Sequence, residues 1–188
     1  MPPVRVKICG VTTPADARFA AECGADAVGL NFYPKSPRFL TDHAATAVIR
    51  DLPAATAAVG VFVDTPDADV AATASRFGLR AVQTYPADPP AADFLPTAFV
   101  PAFRVRSERT LEHVRAFVRT LRDAGRPPAA VLLDSYVPGE MGGTGHRAPW
   151  HLLAGFDPGV PVILAGGLTP DTVADAITIV RPWGVDVA

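Results

Sequence analysis

Two side chains are suited to moving protons, Cys9 at the end of VRVKIC and Asp134 at the end of AAVLLD. A thiol removes a proton near neutral pH when its pKa is lowered, and a carboxyl group donates one when burial raises its pKa. Each residue also has a plainer interpretation, because cysteine is often a small buried apolar residue and aspartate often caps a loop. From position alone, two interpretations stay open: an acid–base pair, or a buried cysteine and a loop-capping aspartate with structural roles.

Two glycine clusters indicate where a substrate would be held. Gly166 and Gly167, in LAGGLTP, lie between an apolar run and a helix start, where close backbone approach and free N–H groups favour a phosphate. The alternative there is an ordinary tight turn. Gly142 and Gly143, in GEMGGTGH, belong to a loop that we expect to close over a substrate, the alternative being a plain surface loop.

Four further residues could assist or compete with this chemistry. Arg38, in YPKSPR, is predicted to grip a carboxylate or phosphate through two nitrogens, unless it is a solvated loop charge. Asp186 is either an ion-pair partner inside the protein or a ligand of the substrate. Lys7 is expected to point away from Cys9 and not to activate it. Cys23 is expected to be a small buried residue within a helix.

The elements that must position these residues alternate along the chain. Apolar runs predict eight strands, at 4–9, 27–32, 57–63, 79–83, 98–105, 129–134, 161–165 and 183–187. Alanine-rich amphipathic stretches predict helices at 13–24, 41–51, 66–77, 91–95, 107–124, 150–153 and 169–180.

Runs that are apolar throughout are typical of a parallel sheet covered by helices. The predicted fold is therefore α/β, a (β/α)₈ TIM barrel formed by residues 1–188 as a single domain, with an open doubly wound sheet as the alternative. No helix follows the eighth strand in this chain. In such a barrel the active site lies at the C-terminal ends of the strands, where the candidate residues fall.

Composition excludes several classes of function. With 17 Lys and Arg against 19 Asp and Glu, the net charge is −2, which lacks the basic excess of a nucleic-acid-binding protein. No apolar stretch reaches the roughly 18–20 residues of a membrane helix, and no secretory signal is present, so we expect a cytoplasmic protein. The four histidines lack ligand spacing, and we expect no metal.

The motifs together resemble one family. VKICGVTTPADA, GLNFYPKSPRFL, VGVFVD, LLDS…GGTG, LAGGLTPDTV and GVDVA are similar, in this order, to phosphoribosylanthranilate isomerase, over residues 6–188. The resemblance implies a (β/α)₈ barrel that converts N-(5′-phosphoribosyl)anthranilate to 1-(2-carboxyphenylamino)-1-deoxyribulose 5-phosphate in tryptophan biosynthesis. This Amadori rearrangement needs no cofactor, and the implied partner is one small phosphorylated substrate, bound by a monomer or homodimer.

The resemblance also assigns roles. By this likeness Cys9 is the general base and Asp134 the general acid, Arg38 contacts the anthranilate end, and Asp186 lies near the substrate's amino group. Gly166 and Gly167 belong to the phosphate site.

Three departures from the family pattern stand beside the resemblance. Tyr85 and Pro86 replace the histidine and glycine of QLHG, His146 stands where lysine is common, and the serine–glycine pair and last helix are expected to follow Ala188. These departures keep a second function open, a catalytically weak barrel that binds a phosphorylated ligand. A ribulose-phosphate epimerase is disfavoured because its metal-binding histidines are absent from the predicted strand ends.

Overall fold

Eight parallel strands close into a barrel in sequence order in the computed structural model, which describes residues 3–90, 97–134 and 150–188. The strands are β1 Arg5–Cys9, β2 Ala27–Asn31, β3 Ala57–Val61, β4 Ala81–Thr84, β5 Ala98–Arg104, β6 Val131–Asp134, β7 Val162–Ala165 and β8 Gly184–Val187. Because β8 pairs with β1, the sheet has no edge. The closed barrel confirms the predicted fold and excludes the open doubly wound sheet.

Six helices within the described ranges lie between successive strands. They are α1 Pro14–Glu22, α2 Asp42–Asp51, α3 Asp67–Phe77, α4 Glu108–Asp123, α5 Trp150–Leu153 and α6 Val173–Val180. The predicted starts have a physical basis in α1 and α2, where the hydroxyls of Thr13 and Thr41 accept hydrogen bonds from the first-turn N–H groups of Asp16 and Ala44.

The apolar core has two parts. Outward-facing strand residues pack against the helices, as Leu133 does beside the α4 residues Val114 and Phe117. Inward-facing residues fill the lumen, and on β6 the alternation places Leu132 on that inner face. The same alternation carries Asp134 to the lumen at the C-terminal end of its strand.

Two predictions about single elements need correction. Cys23 is exposed, and it lies at the C-terminal cap after α1 ends at Glu22 and not within the helix. The helix predicted from Thr169 begins as a turn, and α6 starts only at Val173. The predicted helix at 91–95, the glycines Gly142 and Gly143, and His146 lie outside the described residues.

None of the helices in the described ranges is long and apolar enough to cross a membrane. Within the same ranges, no three His, Cys, Asp or Glu side chains gather as a metal site would require.

Candidate active site

The C-terminal end of β1 presents a thiol and an ammonium group to the barrel lumen together. Lys7 and Cys9 are two residues apart on one strand, and side chains at that spacing share a face. Cys9 Sγ and Lys7 Nζ both lie against the same point on β2, within 3.0 Å of where a Cβ atom on Gly29 would be, and Lys7 lowers the pKa of the Cys9 thiol. The expectation that Lys7 points away from Cys9 is therefore wrong, and Lys7 becomes a part of the site.

The same ammonium group is paired with a carboxylate from the far end of the chain. Lys7 Nζ lies 2.8 Å from Asp186 Oδ1, and the two side chains are 7 % and 8 % exposed. Burial by itself lowers the pKa of Lys7, but the neighbouring Asp186 and Cys9 outweigh it and the net shift is upward, so Lys7 stays charged. Burial raises the pKa of Asp186, and Lys7 opposes that shift. The 2.8 Å contact and the raised pKa of Lys7 identify an ionised pair.

Opposing influences act on the Cys9 thiol. Burial raises its pKa, the charge of Lys7 lowers it, Asp186 raises it and the charge of Arg38 lowers it. The net shift is upward. The thiolate of Cys9 therefore forms at higher pH than that of an ordinary cysteine, and the neighbouring cations reduce the part of the pKa shift that is due to burial.

A missing side chain on the neighbouring strand makes room for this contact. A Cβ atom built on Gly29 of β2 would lie 2.8 Å from Cys9 Sγ and 3.0 Å from Lys7 Nζ. The first distance is shorter than a carbon atom tolerates and the second is a tight contact, so the thiol and the ammonium occupy space that any other residue at this position would need. Gly29 is thus a positioning element of the site that the sequence motifs alone do not identify.

Asp134 closes β6 on the opposite side of the lumen. Its strand neighbour Arg104 lies in register with it on β5. The charges of Asp134 and Cys9 both raise the pKa of Tyr85, after burial, which contributes most. Asp134 also raises the pKa of Asp186. The two predicted proton-transfer groups thus both end strands at the C-terminal end of the barrel, Cys9 on β1 and Asp134 on β6.

Tyr85 occupies the place where the family resemblance leads one to expect histidine. Gln83 lowers the pKa of its phenol, and the guanidinium of Arg104 lies 5.7 Å from its ring centre. Because its pKa is raised, the phenol keeps its proton and can donate a hydrogen bond to a ligand, which a titrating imidazole would do only in part of the pH range.

A cavity of about 850 Å³ opens at this end of the barrel. Its wall includes Cys9, Tyr85 and three cationic side chains, Lys35, Arg38 and Arg104. This volume suits a substrate-sized ligand, and the cationic groups suit an anionic one. We refer to it as the mouth cavity.

Arg38 is placed over the end of β1 by a second glycine. Gly10 follows Cys9 directly with φ +78°, and a Cβ atom there would overlap Cδ of Arg38. The loop that carries Arg38 is itself held by Ser36, whose hydroxyl accepts from the Arg38 N–H and from the Asn31 side chain. Arg38 thus reaches the same cavity as Cys9, as its predicted role requires.

Gly166 and Gly167 follow β7 with φ values of +91° and +64°, and a Cβ atom on Gly167 would touch nothing within 4 Å. Two successive left-handed residues turn the chain tightly and leave the backbone open to close approach. The turn after them is closed by the Thr169 N–H, which donates to the hydroxyl of Thr172. The phosphate role of this turn stays a prediction from the LAGGLTP motif.

The fold and the mouth cavity define a (β/α)₈-barrel protein with a thiol, a carboxyl group and several cations at the C-terminal ends of its strands. Comparison with known proteins agrees with that class. Residues 6–188 match the family model described as N-(5′-phosphoribosyl)anthranilate (PRA) isomerase. The chain is 42 % identical to the N-(5′-phosphoribosyl)anthranilate isomerase of Geobacter sulfurreducens, covering 98 % of this chain and 87 % of that protein.

Solved structures show the same similarity. The phosphoribosyl anthranilate isomerase of Thermotoga maritima superposes with a TM-score of 0.81 at 38 % identity, over 98 % of this chain and 87 % of that one. A phosphoribosyl anthranilate isomerase in complex with reduced 1-(o-carboxyphenylamino)-1-deoxyribulose 5-phosphate gives 0.78 at 35 %, with the same coverage. The chain belongs to the N-(5′-phosphoribosyl)anthranilate isomerase family.

Proposed function

We propose that this chain isomerises N-(5′-phosphoribosyl)anthranilate to 1-(2-carboxyphenylamino)-1-deoxyribulose 5-phosphate, with Cys9 as general base and Asp134 as general acid. The proposal is supported by the position of both groups at the C-terminal ends of strands, Cys9 on β1 and Asp134 on β6, and by the family to which the chain belongs. An aldose-to-ketose rearrangement needs one acid and one base with separate protonation states, and this arrangement supplies both.

The reaction reaches an enolamine by two proton transfers, and the enolamine then loses its C2′ hydroxyl proton and gains a proton at C1′. Asp134 donates its proton to the furanose ring oxygen, the C1′–O bond breaks, and the nitrogen lone pair forms a protonated Schiff base. Cys9, as thiolate, then removes the C2′ proton, and the electron pair of that C–H bond neutralises the nitrogen and yields an enolamine. Tautomerisation of the enolamine to the ketone completes the rearrangement, so no electrons enter or leave and no cofactor is needed.

Charged groups around the mouth cavity hold the substrate for this sequence. Arg38 binds the carboxylate of the anthranilate ring through its guanidinium group. Asp186 lies near the substrate nitrogen, where a carboxylate stabilises the positive charge of the Schiff base. Gly166 and Gly167 bind the phosphate through backbone N–H groups, and this remote binding energy positions the reacting carbons.

Two residues support the catalytic groups. Lys7 stabilises the Cys9 thiolate by its charge. Tyr85 donates a hydrogen bond into the cavity from its phenol. Gly142 and Gly143, which lie outside the described residues, are assigned to substrate binding by the GGTG motif.

The biological setting follows from the chemistry. We place the reaction in tryptophan biosynthesis and the protein in the cytoplasm, as a monomer or a homodimer whose ligand is one small phosphorylated molecule. Neither nucleic acid nor a membrane takes part.

The alternative function is a barrel that binds a phosphorylated ligand but turns it over weakly, and the presence of Tyr85 in place of histidine favours it. Conversion of the substrate removes its anthranilate fluorescence, so a purified sample mixed with substrate distinguishes the two functions. We expect the fluorescence to decay at a rate proportional to protein concentration. Stable binding with no decay would contradict the proposed activity and support the alternative.

A further inference from the structure

A second cavity lies at the N-terminal end of the barrel. Its volume is about 350 Å³, and none of the residues lining it lines the mouth cavity. It opens outward between Arg5, Ala55 and Trp183, all of which are exposed. Lys7, Val59, Val100 and Ile163 form its inner end.

The cavity has a cause in the sequence. The strand register places four small residues from the even-numbered strands in one layer of the lumen: Ala27, Ala81, Ala130 and Gly184. Layers of a (β/α)₈ barrel are usually filled by large branched side chains. The side chains of these three alanines and one glycine are too small to fill the lumen at this level. Ala57 of β3, one level below, also lines the cavity.

One polar group in the cavity wall lacks a partner. Gln83 is 2 % exposed, and its Oε1 atom has no hydrogen-bond partner among the described residues. Buried carbonyl oxygens are normally hydrogen-bonded, so this one is available to a ligand. The charged groups of the wall are already paired, Lys7 with Asp186 and Arg5 with Asp26.

We propose that this cavity is a second binding site, for an uncharged molecule of one or two aromatic rings whose N–H or O–H group donates to Gln83 Oε1. The volume lies within the range of small-molecule sites, and apolar cavities in proteins accept ring compounds. An ionised ligand is disfavoured, since the wall offers no unpaired charge to receive it. The proposal does not rest on the proposed isomerase activity, although Lys7 lies both in this cavity's wall and beside Cys9.

Indole and toluene are suitable probes, because they have similar apolar surfaces and only indole carries a donor. Binding to the folded protein is measured by isothermal titration and by ligand-detected NMR. We expect both probes to bind, with indole binding more tightly. Absence of binding by both probes up to their solubility limits would overturn the proposal.

Variants locate the binding. Ala81→Leu fills the layer and should abolish binding of both probes, whereas Ala72→Leu, the same change on the exposed face of α3, should leave it unaltered. If Ala81→Leu does not fold, Ala130→Val tests the same point with one carbon fewer. Unchanged binding in the folded filling variant would place the probes elsewhere and contradict the proposal.

The hydrogen bond is tested by Gln83→Met, which keeps the side chain's length and removes the acceptor. We expect indole affinity to fall about tenfold, the usual effect of losing one buried hydrogen bond, with toluene affinity unchanged. Equal effects on the two probes, or none on either, would show that Gln83 does not receive the donor.

Discussion

Lys7 and Asp186 form a buried ion pair of 2.8 Å between the first and last strands of the barrel, 179 residues apart in sequence. The pair joins the two strands at which the barrel closes, β1 and β8. The carboxylate of Asp186 holds the ammonium of Lys7 inside the lumen, beside the Cys9 thiol.

Removing the ammonium should destabilise the fold strongly. Lys7→Met leaves the Asp186 carboxylate buried without its partner, and breaking a buried pair in this way typically costs about 3–5 kcal/mol. The free energy of unfolding in urea measures the loss. Arg5→Met is the matched control on the same strand, because its pair with Asp26 is largely exposed and worth roughly 1 kcal/mol or less.

The double variant Lys7→Met with Asp186→Asn should recover much of that loss, because no unpaired charge remains. A Lys7→Met variant no less stable than Arg5→Met would contradict the account of this pair.

The Cys9 thiol should titrate at higher pH than an ordinary cysteine. Its pKa is raised, mainly by burial, so the thiolate appears later as pH rises and both alkylation and kcat/KM should increase through an alkaline midpoint. Alkylation of a Cys23→Ser variant by iodoacetamide follows Cys9 alone. Cys9→Ser, in which the exposed Cys23 is the remaining thiol, supplies the reference.

Adding Lys7→Met to Cys23→Ser should move the Cys9 midpoint further upward, because the group that lowers this pKa is gone. A midpoint that falls on loss of Lys7, or that lies below the Cys23 reference in the parent, would rule out the proposed electrostatics.

Gly29→Ala should reduce catalysis more than stability. The added methyl group would sit 2.8 Å from Cys9 Sγ and 3.0 Å from Lys7 Nζ and displace both. Misplacement of a catalytic group by about 1 Å can cost roughly 10²-fold in rate, and we expect a loss of that order in kcat. The comparison is Gly60→Ala on the next strand, where the methyl group meets Leu79 and Phe62 instead.

Gly60→Ala should lower the melting temperature and leave kcat of the folded protein nearly unchanged. Equal kcat values for the two alanine variants would remove Gly29 from the site.

Gly167→Ala should weaken phosphate binding. Its φ of +64° strains an L-residue by about 1–2 kcal/mol, and the new methyl group stands where the ligand approaches. We expect KM to rise roughly tenfold or more with kcat little changed, as when binding common to ground and transition states is lost. Gly125→Ala, at φ +73° after α4 and with equally open space, carries the same strain away from the mouth.

KM and the inhibition constant of inorganic phosphate are measured for both variants by steady-state kinetics. The comparison separates the effect of backbone strain from the effect of lost phosphate binding. A KM increase of the same size in Gly125→Ala would show that strain alone is responsible.

The barrel was predictable because its signal is local. Each apolar run predicts one strand, and each amphipathic stretch predicts one helix. Thr13 and Thr41 mark helix starts because each hydroxyl accepts a hydrogen bond from the N–H group three residues later. Cys23 was misplaced because the end of α1 depends on the turn that follows it. Helix boundaries of this kind are the least certain part of any sequence pattern.

The site was predictable only in part, for a different reason. Strand ends identify Cys9 and Asp134, and the two-residue spacing of Lys7 and Cys9 was a usable signal that both face the lumen. The partner of Lys7 could not be read from local pattern, because the contact with Asp186 exists only once β8 closes against β1. The role of Gly29 likewise depends on atoms from a neighbouring strand.

The most direct test of the proposed mechanism is kcat for Cys9→Ser and Asp134→Asn, with binding of the reduced product analogue measured separately. We predict that each variant binds the analogue as the parent does and loses about 10²–10⁴-fold in kcat, the range expected for a missing general acid or base. Near-normal turnover in either folded variant would contradict the assignment of base and acid.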